Sequence, residues 1–171
     1  MGDFPEPIVM PSPAAITCLA AQPELLHWDT LNASRAWPLT NKGIFIPFSV
    51  ERAVTAYQMS VQPGNTPTGN VDCGIYDLSG NRIVSSGAVA MTISTLAADF
   101  TDTLLKPGWY FMAAACDGTQ NLSAGTPNVN ILASFGVCEM ASAYPLPATA
   151  TLTRATSSYL PSLSVHLKSV S

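Results

Sequence analysis

Charged side chains are scarce in this chain of 171 residues, of which only 11% are Asp, Glu, Lys or Arg. Ordinary soluble domains carry about 25%. Seven basic residues stand against eleven acidic ones, the formal net charge is −4, and no basic cluster occurs. Such a chain has little attraction for a phosphate backbone or an anionic lipid surface. We therefore expect neither nucleic acid nor a membrane as a partner.

The chain also lacks the closely spaced cysteines and histidines that build most zinc and redox sites. No two cysteines are closer than 22 positions, and they stand at Cys18, Cys73, Cys116 and Cys138. We expect free buried thiols, although spacing alone leaves a disulfide open. Glycine-rich phosphate loops, dinucleotide fingerprints and serine-nucleophile elbows are absent as well. The sequence therefore predicts no metal and no cofactor.

The sequence also predicts neither a secretory signal nor a membrane-spanning helix. Prolines interrupt the first 26 residues, which have no positively charged start. No apolar run reaches the roughly 18 residues that a bilayer-spanning helix needs. We expect a protein that is made and folded in a reducing cytoplasm.

Proline and apolar side chains dominate the start of the chain. Proline fixes φ and removes a backbone donor, so the pattern predicts an extended arm and not a helix or a central strand. We assign residues 1–42 to this arm and its linker. Its apolar side chains need a surface, which could belong to the same domain, a sister subunit or another protein. The candidates for this assembly interface are Phe4, Pro5, Ile8, Val9, Met10, Ile16, Leu25, Leu26, Trp28 and Trp37.

From residue 43 to residue 171, short strand-like runs alternate with turns, which predicts an all-β fold, either a β-sandwich or a barrel. We assign these residues to an antiparallel β-sandwich domain. "VDCGIYD" places Val71, Cys73 and Ile75 on one face of a half-buried strand, and "LSGN" then turns the chain into "RIVSSG". In "AVTAYQMSVQ" the better apolar face is Tyr57, Met59 and Val61. Residues 129–141 fit either a short helix or a loop with one strand.

Few residues suggest chemistry. Asp72 and Asp77 flank one strand on opposite faces, and Asp77 suits a turn cap. Asp99 and Asp102 lie three apart, but a catalytic pair needs a cleft that sequence cannot show. Other candidates are His27 and His166, a calcium site from Asp72, Asp117 or Asn121, and a sugar-stacking Trp109 or Tyr110. We favour structural roles for all of them and expect no enzyme activity.

Four stretches, in this order, resemble a family of virion structural proteins of tailed bacteriophages. They are "GIFIPFSVERAVTAYQMSVQPG", "TGNVDCGIYDLSGNRIVSSGAVA", "LLKPGWYFMAAACDGT" and "YPLPATATLTRATSSYLPSLSV". The resemblance implies a jelly-roll-like β-sandwich without enzymatic activity, present in many copies on a virion assembled in the bacterial cytoplasm. Its relatives include head-decoration and tail-fibre proteins, and none of its motifs carries functional residues.

The short length favours a capsid decoration, or cement, protein that binds the head shell through its N-terminal arm. The expected partners are the major capsid protein or other virion subunits, and the expected assembly is a homotrimer. The alternative is a tail, fibre or baseplate component that binds host surface glycans.

Overall fold

The computed structural model describes residues 34–169; residues 1–33 and 170–171 lie outside the described part. The described chain is nearly all β, with one short helix, and this confirms the expected fold class. The elements are β1 (Ser34–Ala36), β2 (Gly43–Val50), β3 (Val54–Val61), β4 (Asn70–Asp77), β5 (Arg82–Ala90), β6 (Leu96–Leu105), β7 (Gly108–Cys116), β8 (Asn121–Gly125), α1 (Val129–Ser134), β9 (Cys138–Met140), β10 (Thr153–Arg154), β11 (Leu160–Pro161) and β12 (Leu163–Ser169). No helix in this range is long and apolar enough to cross a bilayer.

The strands form three antiparallel sheets. The largest has six strands in the order β10-β9-β2-β7-β4-β5, and two three-stranded sheets have the orders β12-β3-β6 and β1-β8-β11. A continuous apolar cluster joins one face of the six-stranded sheet to β3, β6, β8 and β12; it includes Ile44, Ile46, Met59, Leu105 and Leu122. This cluster is the main core of the sandwich.

The other face of the six-stranded sheet is covered as well. Phe45, Tyr76 and Phe111 on that face pack with Ala143 and Leu146, which belong to residues 141–152. We call residues 141–152 the covering segment. Its presence explains why every residue of β4 from Val71 to Tyr76 is buried. The predicted half-buried strand is thus wrong, because a sheet covered on both sides has no wet face.

The hairpin of β4 and β5 is confirmed, and so is the capping role of Asp77. Its Oδ1 accepts hydrogen bonds from the backbone N–H of Ser79 and of Asn81, each at 2.9 Å, and the Asn81 side chain donates to Oδ2 at 3.0 Å. These bonds hold the pKa of Asp77 below its usual value. Gly80 supplies the left-handed φ of +82° that closes the turn.

A β-bulge changes the buried face of β3 halfway along the strand. Val54 and Ala56 are buried before the bulge, and Met59 and Val61 are buried after it. In the pairing with β12, Gln58 lies opposite His166 and Ala56 lies opposite Leu167, so the extra residue of β3 is Tyr57. The predicted face of Tyr57, Met59 and Val61 is therefore correct only for its last two members.

The ambiguous stretch 129–141 contains both predicted alternatives, because α1 is followed by β9. Asn128 caps α1 by accepting a hydrogen bond from the N–H of Asn130 at 2.8 Å. β9 then joins β2 and extends the six-stranded sheet.

Two findings differ from the expected arm boundary at residue 42. Strand β1 pairs with β8, so the sandwich already includes residues 34–36. Trp37 is only 1% exposed and packs edge-to-face on Tyr159, with 5.4 Å between ring centroids. Its indole N–H donates to the carbonyl of Lys42 at 2.9 Å. Trp37 is therefore a core residue of its own domain and not a contact for another subunit.

The thiols of Cys73 and Cys116 are free and buried, as expected, and Cys138 is free and partly buried. Burial raises the pKa of Cys73 and Cys116 well above the usual range. Neither thiol is thus a ready nucleophile. Cys18 lies outside the described residues.

Contact between the hairpin turn and the covering segment can be tested at Gly80. A Cβ added there would overlap the carbonyl oxygen of Ala150, whereas a Cβ at Gly87, which also has a positive φ, meets nothing within 4 Å. We expect Gly87→Ala to cost about 1 kcal/mol through its backbone conformation alone. Gly80→Ala should cost at least twice as much in urea-unfolding measurements. Equal costs for the two variants would contradict the packing described for the covering segment.

Candidate functional site

Asp72 is the most deeply buried carboxylate of the described chain, at 1% exposure. Its Oδ2 accepts a hydrogen bond from the N–H of Leu146 at 3.0 Å. Tyr76 donates its hydroxyl to the carbonyl of Pro147 at 2.6 Å, and the Arg82 guanidinium donates to the carbonyl of Leu146. Burial raises the pKa of Asp72, and the Leu146 N–H and the Arg82 charge offset this only in part. The three side chains hold the covering segment against the sheet.

Glu139 is the second buried carboxylate, on β9. Lys42 lies 2.7 Å from its Oε2, Thr156 donates its hydroxyl to the same oxygen at 2.9 Å, and the N–H of Ser157 donates to Oε1 at 2.9 Å. Burial works to raise the pKa of Glu139, but these donors outweigh it and hold the pKa below its usual value. The carboxylate ties the linker before β2 to the segment that follows β10.

Asp117, directly after β7, is the centre of a third group of hydrogen bonds. It accepts hydrogen bonds from the backbone and side-chain N–H groups of Asn70 at 2.9 and 2.7 Å, and from Gln120 at 3.2 Å. Burial opposes these donors, yet they lower the pKa of Asp117. Donor groups therefore occupy the oxygens that a calcium ion would need.

Another group of polar residues lies on the solvent face of the β12-β3-β6 sheet. Ser60 Oγ and His166 Nε2 are 2.6 Å apart, and Gln58 donates its amide N–H to Asp99 at 2.6 Å. Tyr57 meets the His166 ring edge-to-face with 6.1 Å between centroids, and the Lys168 ammonium lies 5.4 Å from the Tyr57 ring centroid. Lys168 also pairs with Asp102. We call this group, formed by Tyr57, Gln58, Ser60, Asp99, Asp102, His166 and Lys168, the polar face.

The predicted calcium ligands do not meet. Asp72 binds the covering segment, Asp117 binds Asn70, and the side chain of Asn121 donates to the carbonyl of Asn65 at 3.3 Å. Within residues 34–169 no group of three or more His, Cys, Asp or Glu side chains could hold a metal ion.

The two aspartate pairs also have separate partners. Asp72 and Asp77 serve the covering segment and the turn, respectively. Asp99 bonds to Gln58, while Asp102 pairs with Lys168. Nine of the ten candidate interface residues, and His27, lie outside the described part of the chain.

Trp109 and Tyr110 are both partly buried and both pack against the main core. The Tyr110 hydroxyl donates to the carbonyl of Lys106 at 2.8 Å, and its ring lies tilted against Phe48. Neither ring is presented as an open platform for a sugar.

The Ser60–His166 pair has the donor and acceptor atoms of a nucleophile and its base. A working pair also needs an orienting group and donors for a developing oxyanion. No carboxylate of residues 34–169 hydrogen-bonds to His166, and both side chains are partly buried on one face of a sheet. The arrangement suits binding better than nucleophilic catalysis.

Sequence reasoning missed two of these features. The role of Glu139 could have been predicted from the sequence, because it is the sole charged residue between Asp117 and Arg154. An acid in such an apolar stretch needs a partner when it is buried. The polar face had no such signal, because the bulge at Tyr57 that helps to form it does not show in the alternation of the sequence.

Comparison with known proteins adds no relative: no family model, no curated protein and no solved structure matches the chain.

The buried ion pair can be tested at Lys42. Removing one partner of a buried pair leaves the other charge uncompensated, so Lys42→Met should destabilise the fold by roughly 3 kcal/mol at neutral pH. Adding Glu139→Gln should recover part of this loss, because the amide keeps an acceptor for Ser157 without the charge. Chemical denaturation of the two variants measures both effects, and an unaltered stability of Lys42→Met would contradict the role of the pair.

The raised pKa of Asp72 predicts how the free energy of unfolding depends on pH, with a sign opposite to that expected for an ordinary paired carboxylate. Its folded-state pKa lies above the ordinary value of 3.8, so the folded protein keeps this proton to a higher pH than the unfolded chain does. Stability from this group is present at low pH and is lost as pH rises through the folded-state pKa. Relative to Asp72→Asn, the wild-type free energy of unfolding should therefore fall as pH rises from about 4. A pH-independent difference between the two proteins would refute this.

Proposed function

We propose that the chain is a non-enzymatic structural subunit of a tailed-bacteriophage virion, and specifically a capsid decoration protein. In this proposal it binds the head shell through its N-terminal arm and stabilises the shell. Its partners are the major capsid protein or other virion subunits, and it acts as a homotrimer. Two features support the proposal. The four sequence stretches resemble virion structural proteins, and the buried acids bind segments of their own domain.

The observation that carries the proposal is that the buried carboxylates are hydrogen-bonded to groups of their own domain. Asp72 and Glu139 are the only buried acids of the described residues, and both have their oxygens engaged by donors of their own domain. Reactive acids are usually left in a cleft with a free face toward the substrate. Here the buried charges fasten segments of the sandwich to each other, which is what a passive scaffold requires.

The surface suits a subunit that is packed among others. It is poor in charge, and several large apolar side chains are open to solvent; the most exposed are Ile93 (86%), Leu104 (55%), Leu39 (53%) and Leu78 (51%). Apolar surface that a contact with the shell removes from water stabilises that contact by about 25 cal/mol per Å². Small contacts repeated over many copies can therefore stabilise a large particle.

The proposal is tested on purified virions. Quantitative mass spectrometry should find the chain at a copy number comparable with that of the major capsid protein, and labelled particles should show it on the head. A much lower copy number, located on the tail, would favour the fibre alternative. Absence from virions would contradict both.

A matched variant separates attachment from folding. Deleting residues 1–26 leaves the described sandwich intact in sequence and should abolish binding to shells that lack the protein, while the circular dichroism spectrum and melting temperature of the sandwich are retained. Undiminished shell binding by this variant would rule out attachment through the arm.

A further inference from the structure

The loops of the described chain lie at two opposite ends of the six-stranded sheet. At one end β7 finishes opposite the start of β2 and of β4, and β5 finishes beside the start of β4. We call the loops there the neutral end, which comprises residues 37–42, 62–69, 91–95, 117–120 and 141–145. At the other end, which we call the charged end, short turns join β2 to β3, β4 to β5 and β6 to β7.

The two ends differ in their exposed charges. The neutral end holds two charged residues, and both are engaged within the domain, since Lys42 pairs with Glu139 and Asp117 accepts hydrogen bonds from Asn70. Neither of them is an exposed residue, and the nearest exposed charge along the chain is Arg35, on β1. The turns of the charged end and the strand residues next to them contribute exposed Glu51, Arg52, Arg82 and Lys106.

Two large apolar side chains project from the neutral end. Ile93 is 86% exposed and Leu39 is 53% exposed. The other exposed residues there are Thr, Ser, Asn, Gly, Ala and Pro. Apolar side chains within a rim of uncharged polar groups are typical of protein–protein contacts, whose centres are depleted of charge. A phosphate backbone or an anionic lipid surface would find no exposed cation in these loops.

Hydrogen bonds between the loops hold the neutral end in one shape. The N–H of Asn41 donates to the carbonyl of Cys116 at 2.9 Å, the N–H of Ala143 donates to Asn41 at 2.6 Å, and the N–H of Met91 donates to Gly69 at 2.9 Å. The non-glycine residues of the described chain that have a left-handed φ all lie here, and they are Asn41, Thr66 and Ser142. Such conformations are uncommon and are often found at binding sites. A surface that is fixed in advance loses little conformational freedom when a partner covers it.

The described chain begins beside the neutral end. Ser34 is its first residue, and the Ser34 hydroxyl accepts a hydrogen bond at 2.7 Å from the N–H of Asn65, which belongs to one of these loops. The preceding residues 1–33 contain four acids and no Lys or Arg. A partner that binds the residues just before Ser34 would therefore lie next to an uncharged part of the sandwich.

We propose that the neutral end is the face that the sandwich turns toward the head shell, where it binds a weakly charged, apolar surface of a shell subunit. This inference rests on the proposed function, and it adds a second contact to the one that the N-terminal arm makes. Two linked contacts with the same partner raise the overall affinity although each is small. The charged end then faces water, where its charges keep particles from associating.

The test compares aspartate substitutions at exposed apolar positions of the two ends. Leu39→Asp and Ile93→Asp should each weaken binding to shells that lack the protein by about tenfold or more, because a charge that loses its water without gaining a partner is costly. The matched controls are Leu78→Asp and Leu104→Asp, since Leu78 (51%) and Leu104 (55%) are as exposed as Leu39 but lie at the charged end. Both controls should bind as the wild type does. Cosedimentation with shells measures the affinities, and melting temperatures show that all four variants are folded.

The outcomes separate this inference from the proposed function. Wild-type affinity of both Leu39→Asp and Ile93→Asp would overturn the orientation and leave the virion proposal standing. Equal losses in all four variants, or losses in Leu78→Asp and Leu104→Asp alone, would overturn it in the same way. Failure of the wild-type chain to bind shells would contradict the proposed function and, with it, this inference.

Discussion

The fold depends on covering the six-stranded sheet from both sides. One face of β2, β7 and β4 packs into the main core, and the other would expose Phe45, Tyr76 and Phe111 if the covering segment were absent. A segment without regular structure needs partners from elsewhere for its backbone groups. Backbone hydrogen bonds with Arg82 and Gly80 hold Ala148 and Ala150, and side chains of the sheet hold the residues before them. The hydrogen bonds of Asp72, Tyr76 and Arg82 to residues 146 and 147 meet this need.

This constraint explains why charge appears where it does. A buried carboxylate is costly unless donors surround it. Asp72 and Glu139 nevertheless lie inside the domain, and each joins a segment of irregular structure to the six-stranded sheet. Glu139 is paired with the largely buried Lys42, so the few buried charges of the described residues serve to hold segments of the domain together.

Much of the fold could be predicted because strands and turns are local. The "LSGN" turn, with Asp77 as its cap, follows from the conformational preferences of neighbouring residues. Two-sided burial could not be predicted, since Leu146 reaches Asp72 across 74 positions of sequence. The prediction that Trp37 contacts another subunit is wrong for the same reason. Its partner in the core, Tyr159, is distant in sequence.

The polar face shows the limit of reasoning from alternation in its sharpest form. Regular alternation places Tyr57 with Met59 and Val61 on the buried side, but Tyr57 is the extra residue of β3 in its pairing with β12 and leaves that side. Residues beyond the bulge keep the predicted side, so the pattern gives no internal sign of the change. A bulge can therefore turn an aromatic side chain away from the core without altering any residue type. β3, β6 and β12 shift register at the same level, so the composition of this face depends on pairing between distant strands and not on any short motif.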